Sequence, residues 1–262
     1  MNRLRIGVRL ESLGLPLRQA ISAASRLAVA GVQVDAAGDL SPANLSQTGR
    51  REFRHLLRSH DLEVTALGCP LRHGLDTAAD QQPRIEHVKS VLTLSYDLGP
   101  RRVIVEAGQV PDEKDLENNR CMTEALTELG RHADKTGTTL ALETGLESGE
   151  VLAGFLDRFD TGGLGANLDP ANLLAHGFAP FEAARALNRR VVHVHAKDAR
   201  RGGASRAALE VPLGHGDIDW LQFLAVLEEI DYRGWLTVER EGGADRAADV
   251  AAGVAFLRHL VG

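Results

Sequence analysis

Four side chains that commonly bind divalent cations follow short apolar runs at separate points of the chain. In the segment VVHVHAKD, strand alternation places His193 and His195 on one face, with His195 at the strand's end. Glu143, Asp169 and Glu239 also follow apolar runs directly. Burying carboxylates is costly unless they are paired or bind a cation. Three carboxylates and the His195 imidazole therefore predict a site for one divalent cation, Mn²⁺, Mg²⁺, Co²⁺ or Zn²⁺.

Further polar residues accompany these four. Glu106 also ends an apolar run, and we expect it to form hydrogen bonds at the site or to join the ligands. Lys197 either holds a substrate oxygen or pairs with a ligand carboxylate. His193 and Asn167 stand two residues before a ligand on their strands, where they either support the ligands or pack in the interior. His215, in LGHGDIDW, either reaches the substrate or belongs to a glycine turn before a helix.

Strand-like and helix-like segments alternate from one end of the chain to the other. This pattern is typical of parallel βαβ units, and eight units in 262 residues favour an α/β protein with a single (β/α)₈ TIM barrel over residues 1–262. The alternative, a doubly wound open sheet, more often carries a glycine-rich loop after its first strand, which VRLESLGL is not. The carboxyl ends of barrel strands meet at one mouth, so the candidate ligands are expected to converge there. The predicted strands are Leu4–Leu10, Val32–Asp35, Glu63–Cys69, Arg102–Glu106, Thr138–Glu143, Leu164–Asp169, Val191–Ala196 and Trp235–Glu239.

Composition limits the expected partners and location. The net charge is −6 and the lysines and arginines are scattered, so binding to nucleic acid is not expected. Two cysteines cannot build a disulfide framework and indicate a reducing compartment. No apolar run is long enough for a signal peptide or a membrane span, so we expect a cytoplasmic protein without membrane partners. A homo-oligomer is compatible with the sequence.

The segments ALETG, NLDPAN, HVHAKD and TVERE resemble the xylose isomerase-like, AP endonuclease 2 superfamily of TIM barrels. That superfamily includes sugar phosphate isomerases and epimerases, ketose 3-epimerases, inosose isomerases and dehydratases, and hydroxypyruvate isomerases. The resemblance implies that Glu143, Asp169, His195 and Glu239 are the metal ligands. It also implies that Glu143 and Glu239 form the catalytic acid/base pair on opposite faces of the substrate.

Three positions bear on the substrate within this superfamily. Arg201 falls six residues after His195, where ketose epimerases keep an arginine that holds substrate oxygens; a solvated loop arginine is the alternative. Asn172 stands where ketose 3-epimerases place a histidine. The resemblance therefore supports the metal site more strongly than it identifies the substrate. Neither Glu147 nor Glu150 matches the spacing of their second glutamate. DNA-repair members use extra histidine and aspartate ligands, and Asn172 counts against that branch.

The implied chemistry is proton transfer beside a carbonyl. A divalent cation that binds a carbonyl and an adjacent hydroxyl acidifies the neighbouring C–H, and one carboxylate can remove that proton while a second returns it. The leading hypothesis is a metal-dependent isomerase or epimerase of a small sugar, sugar phosphate or polyol-derived ketone, with a small carbohydrate as its substrate. The alternative is a dehydratase or eliminase on a keto-sugar or inosose. A sugar-binding barrel without turnover and an abasic-site endonuclease are less favoured.

Overall fold

Eight parallel strands close a barrel in the computed structural model, which describes residues 4–202 and 208–262. This confirms the predicted (β/α)₈ fold. The order around the barrel is β1, β10, β7, β6, β5, β4, β3, β2, so the first and last strands of the chain pair and close it. The barrel strands are β1 (Arg5–Arg9), β2 (Gly31–Asp35), β3 (Glu63–Gly68), β4 (Arg102–Val105), β5 (Thr139–Glu143), β6 (Leu164–Leu168), β7 (Val191–Ala196) and, after a hairpin of β8 (Asp198–Arg200) and β9 (Leu209–Val211), β10 (Trp235–Val238).

Helices follow the strands and cover the outside of the barrel. Most begin at a short polar side chain that accepts a hydrogen bond from the first turn, as Asp115 does for the longest of them. That helix ends at Gly137, whose φ of 66° suits glycine. Among the described residues, no helix has both the length and the apolar character needed to span a membrane. The helices are α1 (Leu17–Arg26), α2 (Gln47–Arg58), α3 (Gln81–Leu98), α4 (Leu116–Thr136), α5 (Gly149–Leu156), α6 (Pro170–Ala175), α7 (Pro180–Leu187), α8 (Trp220–Glu229) and α9 (Arg246–Val261).

The barrel interior changes character along its axis. At the amino-terminal end, the Trp235 indole fills the space beside Gly31, where an added Cβ would lie 2.8 Å from the ring. The small buried side chains of Ala66, Ile104 and Ala141 form a cluster of their own on the inner face. Polar side chains occupy the carboxyl-terminal end of the strands, which is the expected position of an active site in this fold.

Two elements were not predicted from the sequence. The segment after β7 contains the antiparallel hairpin of β8 and β9, with Asp198 opposite Val211. A short helix, α6, follows β6 directly, because Asp169 caps it and Pro170 occupies its first position. Both elements lie next to the polar end of the barrel, so they contribute to the environment of the site.

Candidate active site

The four side chains predicted to bind a cation come together at the carboxyl-terminal end of the barrel. Glu143, Asp169, His195 and Glu239 each offer one donor atom, and these atoms all lie within 4.8 Å of one another. His195 Nδ1 lies 2.8 Å from Glu239 Oε2, 3.7 Å from Glu143 Oε1 and 3.8 Å from Asp169 Oδ2. The imidazole nitrogen is therefore at the centre of three carboxylates, an arrangement that we call the four-residue centre.

In each carboxylate of the four-residue centre, one oxygen accepts a hydrogen bond from a neighbouring residue. Asp169 Oδ1 accepts the backbone N–H of Asn172 at 2.8 Å, and Glu143 Oε1 accepts the Asn172 side-chain amide at 2.9 Å. Glu239 Oε1 accepts a hydrogen bond from Arg9 Nη1. In contrast, Asp169 Oδ2 and Glu239 Oε2 are buried and take part in no hydrogen bond among the described residues. Buried carboxylate oxygens without partners are costly, and a bound cation would satisfy both, so this donor set fits a divalent metal ion.

A row of hydrogen bonds crosses the interior and orients the central imidazole. Thr237 Oγ1 lies 3.0 Å from His193 Nε2, and His193 Nδ1 lies 2.9 Å from Asn167 Oδ1. The Asn167 amide nitrogen is 3.0 Å from His195 Nδ1, and His195 Nε2 is 2.9 Å from Gln33 Oε1. With Gln33 accepting the Nε2 proton, His195 Nδ1 carries the lone pair that a metal ligand requires, and this nitrogen faces the carboxylates and the Asn167 amide.

Lys197 is buried beside the four-residue centre. Its Nζ lies 2.9 Å from Glu241 Oε2 and 3.2 Å from Asn172 Oδ1, and it is 3.7 Å from Asp169 Oδ2 and 3.9 Å from Glu239 Oε2. Burial opposes the charged form, but the carboxylates of Asp169 and Glu239 outweigh it and raise the pKa of Lys197 well above its usual range. The side chain is thus a fixed positive charge that pairs with carboxylates at the mouth.

Arg9 is a second cation at the mouth, and sequence reasoning did not find it. Its Nη1 contacts Glu239 Oε1, while its Nη2 lies 3.0 Å from Asp35 Oδ2 and 3.3 Å from Oδ1. Gln33 was missed as well; it is the register partner of Arg9 on the neighbouring strand. Both are polar residues of predicted strands, β1 and β2, but their partners are set only when the barrel closes.

The pKa values of the two glutamates of the centre are shifted in opposite directions. Burial raises the pKa of Glu143, and the opposing attraction of His195 does not reverse this. Burial acts in the same sense on Glu239, but His195, Lys197 and Arg9 together hold its pKa well below the usual range. Two carboxyl groups whose surroundings separate their pKa values can divide the roles of proton donor and proton acceptor between them.

The remaining predicted substrate residues divide into two groups. Glu106 is exposed and lines a small cavity of about 80 Å³ together with Glu143 and Arg9, and Asn172 links Glu143 to Lys197. The other two, His215 and Arg201, are exposed on the segment after β7. In the ranges 4–202 and 208–262, no hydrogen bond or ion pair joins either of these side chains to the four-residue centre; their backbone groups pair with Arg200 and Asp217.

Gly214 and Gly216 form a turn around a buried carboxylate. Asp198 Oδ2 accepts the N–H of Gly214 at 2.9 Å, that of Gly216 at 3.1 Å and the indole N–H of Trp220 at 3.1 Å. The turn interpretation of this Gly-x-Gly segment therefore accounts for both glycines. Their N–H groups are engaged by Asp198 and do not form an anion-binding loop, although His215 between them stays exposed.

A larger cavity of about 840 Å³ lies beside the mouth, between the segments that follow β4 and β5. Glu147 is a buried residue of its wall and accepts the Val110 N–H at 3.0 Å. Burial raises the pKa of Glu147. None of the four centre residues lines this cavity, whereas Glu143 lines the smaller one.

Comparison with known proteins agrees with this geometry. The family model described as xylose isomerase-like TIM barrel matches residues 21–260. An inosose dehydratase of Clostridium perfringens is 29% identical over 47% of this chain and 47% of that protein, so the chain spans about half the length of this relative. The uncharacterised protein YfiH of Bacillus subtilis is 28% identical over 88% of this chain and 90% of that protein.

Two solved structures show the same fold over nearly the whole chain. A xylose isomerase domain protein from Planctomyces limnophilus has a TM-score of 0.88 and 28% identity, covering 98% of this chain and 97% of that one. A D-allulose 3-epimerase from Methylomonas sp. has a TM-score of 0.78 and 20% identity, covering 98% of both chains. At that identity the second comparison carries information about the fold alone.

Proposed function

The chain belongs to the xylose isomerase-like TIM barrel family, and from that premise we propose that it is a divalent-metal-dependent isomerase or epimerase. Its substrate would be a small sugar, sugar phosphate or polyol-derived ketone. One observation carries the proposal: Glu143 and Glu239 share a single centre with His195 and Asp169, in which the four donor atoms lie within 4.8 Å of one another. A proton can then be removed by one carboxylate and returned by the other.

The cation would be held by Glu143, Asp169, His195 and Glu239. The buried, unpaired oxygens of Asp169 and Glu239 support this assignment, as does the orientation of His195 Nδ1. The set contains no thiolate, so it suits Mn²⁺, Mg²⁺, Co²⁺ or Zn²⁺ in a reactive site. When bound, the cation would polarise a substrate carbonyl and an adjacent hydroxyl, which acidifies the C–H between or beside them.

The proton steps fall to the two glutamates. Both carboxylates would bind the cation and are available to remove or return a substrate proton, and the geometry does not assign one role to one residue. Arg9 and Lys197 lie beside Glu239, and Asn172 donates to Glu143 Oε1, so Glu143 Oε2 is the oxygen not held by that amide. Return to the opposite face gives an epimer, and return to the neighbouring carbon gives an aldose–ketose isomer.

Other side chains around the mouth would bind the substrate. Lys197 and Asn172 stand beside Glu143 and can hold substrate oxygens, and Glu106 faces the small cavity next to it. Arg201 and His215, on the exposed segment after β7, would bind a substrate that extends beyond the cavity. His193 and Asn167 act behind His195 and fix its orientation.

A dehydratase is the second candidate, and Lys197 favours it. The ammonium lies within 4 Å of both Asp169 Oδ2 and Glu239 Oε2, so its fixed positive charge would stabilise negative charge that develops on a departing hydroxyl oxygen. The relative named inosose dehydratase is consistent with this chemistry. In either reaction the first step is the same removal of a proton by a carboxylate.

Exchange with solvent distinguishes these reactions. The protein loaded with Mn²⁺ is incubated in D₂O with a panel of ketoses and inososes, and products are analysed by mass spectrometry and NMR. Deuterium uptake without loss of mass supports the isomerase or epimerase, and loss of water supports the dehydratase. Glu143→Gln and Glu239→Gln are each expected to abolish turnover, while Glu228→Gln, an exposed change on α8, serves as control. Full turnover in both site variants contradicts the assignment.

A further inference from the structure

We infer that Arg9, at the end of β1, is a positioning residue for Glu239: it holds Oε1, so that Oε2 alone faces the bound cation. Arg9 and Glu239 are 230 positions apart in the chain, yet their side chains are in direct contact. The side chain of Glu239 is almost fully buried, and that of Arg9 is 22% exposed. This inference rests on the metal centre proposed above and adds a residue that acts on the cation only through Glu239.

The contacts of Arg9 use separate nitrogens for separate partners. Nη1 reaches Glu239 Oε1, and Nη2 reaches both oxygens of Asp35. Asp35 is fixed in turn, because its backbone N–H donates to Glu11 Oε1 at 2.9 Å. The guanidinium of Arg9, at the end of β1, therefore connects Asp35 on β2 with Glu239, which follows β10.

The shape of the side chain matters as much as its charge. A guanidinium is a rigid fork whose nitrogens address two carboxylates in fixed directions, whereas a lysine ammonium has a single nitrogen. Lysine at this position would keep the positive charge but could not reproduce both contacts. Glu239 would then rotate about its side-chain torsions, and its unpaired Oε2 would lose its fixed direction toward His195 Nδ1.

Charge and position predict opposite effects on metal binding. If Arg9 acted only through its charge, it would repel a divalent cation, so removing the charge would tighten binding and replacing Arg9 by lysine would change little. If Arg9 positions Glu239, the lysine variant weakens binding although the charge is retained. The Mn²⁺ affinity of Arg9→Lys therefore distinguishes the positioning role from the charge effect. The affinity of Arg9→Gln reflects the loss of both.

Titration with Mn²⁺ followed by calorimetry tests the inference. For Arg9→Lys we expect a loss of Mn²⁺ affinity of roughly tenfold, in the range found when residues that support metal ligands are replaced. The electron paramagnetic resonance spectrum of the bound Mn²⁺ should also change, since one carboxylate is reoriented. The control is Arg50→Lys, which alters a comparably buried ion pair with Asp97 between α2 and α3 and should change neither reading.

Asp35→Asn provides a second test that leaves Arg9 in place. It removes one anchor of the guanidinium and also one negative charge, so the decisive reading is the electron paramagnetic resonance spectrum of the bound Mn²⁺, which should change as it does in Arg9→Lys, and the two effects should not add. It also decides the question if Arg9→Lys fails to fold in thermal unfolding. Unchanged affinity and spectrum in the folded variants overturn the role of Arg9 and leave the metal centre standing. Absence of stoichiometric Mn²⁺ binding to the parent protein overturns the metal centre, and the role of Arg9 with it.

Discussion

His195 Nε2 lies 2.9 Å from Gln33 Oε1, across the barrel from β7 to β2. Two strands, β10 and β1, separate these elements around the barrel, so the contact passes through the interior. Both side chains are fully buried. The contact determines which imidazole nitrogen is left for the carboxylates, and it shows that a candidate ligand from the second half of the chain is oriented by a residue of the first.

Replacing Gln33 by leucine is therefore expected to weaken metal binding. Gln33→Leu keeps the approximate volume but removes the acceptor of the Nε2 proton, so His195 loses its fixed orientation. We expect Mn²⁺ affinity to fall by roughly 10- to 100-fold, measured by calorimetric titration. Gln33→Glu retains an acceptor at the same place and should bind Mn²⁺ at least as well as the parent. Equal affinity of the leucine variant and the parent would falsify the orienting role.

Replacing Lys197 by methionine should separate metal binding from turnover. The ammonium repels a cation at the four-residue centre, so Lys197→Met is expected to bind Mn²⁺ more tightly, by about tenfold. Turnover should fall, because the side chain no longer holds a substrate oxygen or stabilises negative charge on it. Calorimetry and the deuterium-exchange assay measure the two quantities. The hypothesis fails if affinity and turnover both stay at the parent's level.

Replacing Glu147 by glutamine should stabilise the protein in a pH-dependent way. Burial raises the pKa of Glu147 in the folded state. The carboxyl group therefore contributes its full stability below its unfolded pKa of about 4.3, and that contribution is lost as the pH rises through the folded pKa. Glu147→Gln stays neutral and keeps an acceptor for the Val110 N–H. Its melting temperature should exceed that of the parent by a few degrees at pH 7 and by little at pH 4.

Thermal unfolding at both pH values checks this expectation, with Glu150→Gln as the matched control. Glu150 lines the same cavity but is exposed, so its replacement should leave the melting temperature unchanged at either pH. A gain for Glu147→Gln that is equal at pH 4 and pH 7 would show that the carboxyl group does not titrate differently in the folded state.

Replacing Asp198 by alanine should destabilise the protein strongly. Its carboxylate accepts the N–H groups of Ala199, Gly214 and Gly216 and the Trp220 indole, all between 2.9 and 3.1 Å. Removing it leaves buried donors without partners, which should lower the free energy of unfolding by about 3 kcal/mol. Guanidinium chloride unfolding measures the change, and Asp160→Ala, at an exposed aspartate, is the control. A loss no greater than that of the control would contradict the role of Asp198.

The residues at the ends of β5, β6, β7 and β10 were predictable because each follows an apolar run and a barrel brings such ends together. Glu143, Asp169 and His195 are local features of this kind. The pair Asp169 and Pro170 also predicts the start of α6, since aspartate is common at the helix N-cap and proline at the first helical position.

The remainder of the site depends on which strands become neighbours. Arg9 and Gln33 acquire their roles only when β1 and β2 are set against β10 and β7, and no short segment contains that information. Asp198 follows the same rule: its partners at positions 214, 216 and 220 become neighbours only after the hairpin forms. The roles of these buried polar residues thus depend on tertiary contacts, whereas the apolar pattern that predicts the strands is local.

The contact between Arg9 and Glu239 has a consequence for biosynthesis. The chain emerges from the ribosome with its amino terminus first, and Glu239 belongs to the final tenth of the sequence. A nascent chain that lacks β10 has an open seam beside β1 and only three of the four proposed ligands. The proposed centre can therefore assemble only once β10 has been synthesised, and a product terminated before Glu239 would lack the full ligand set.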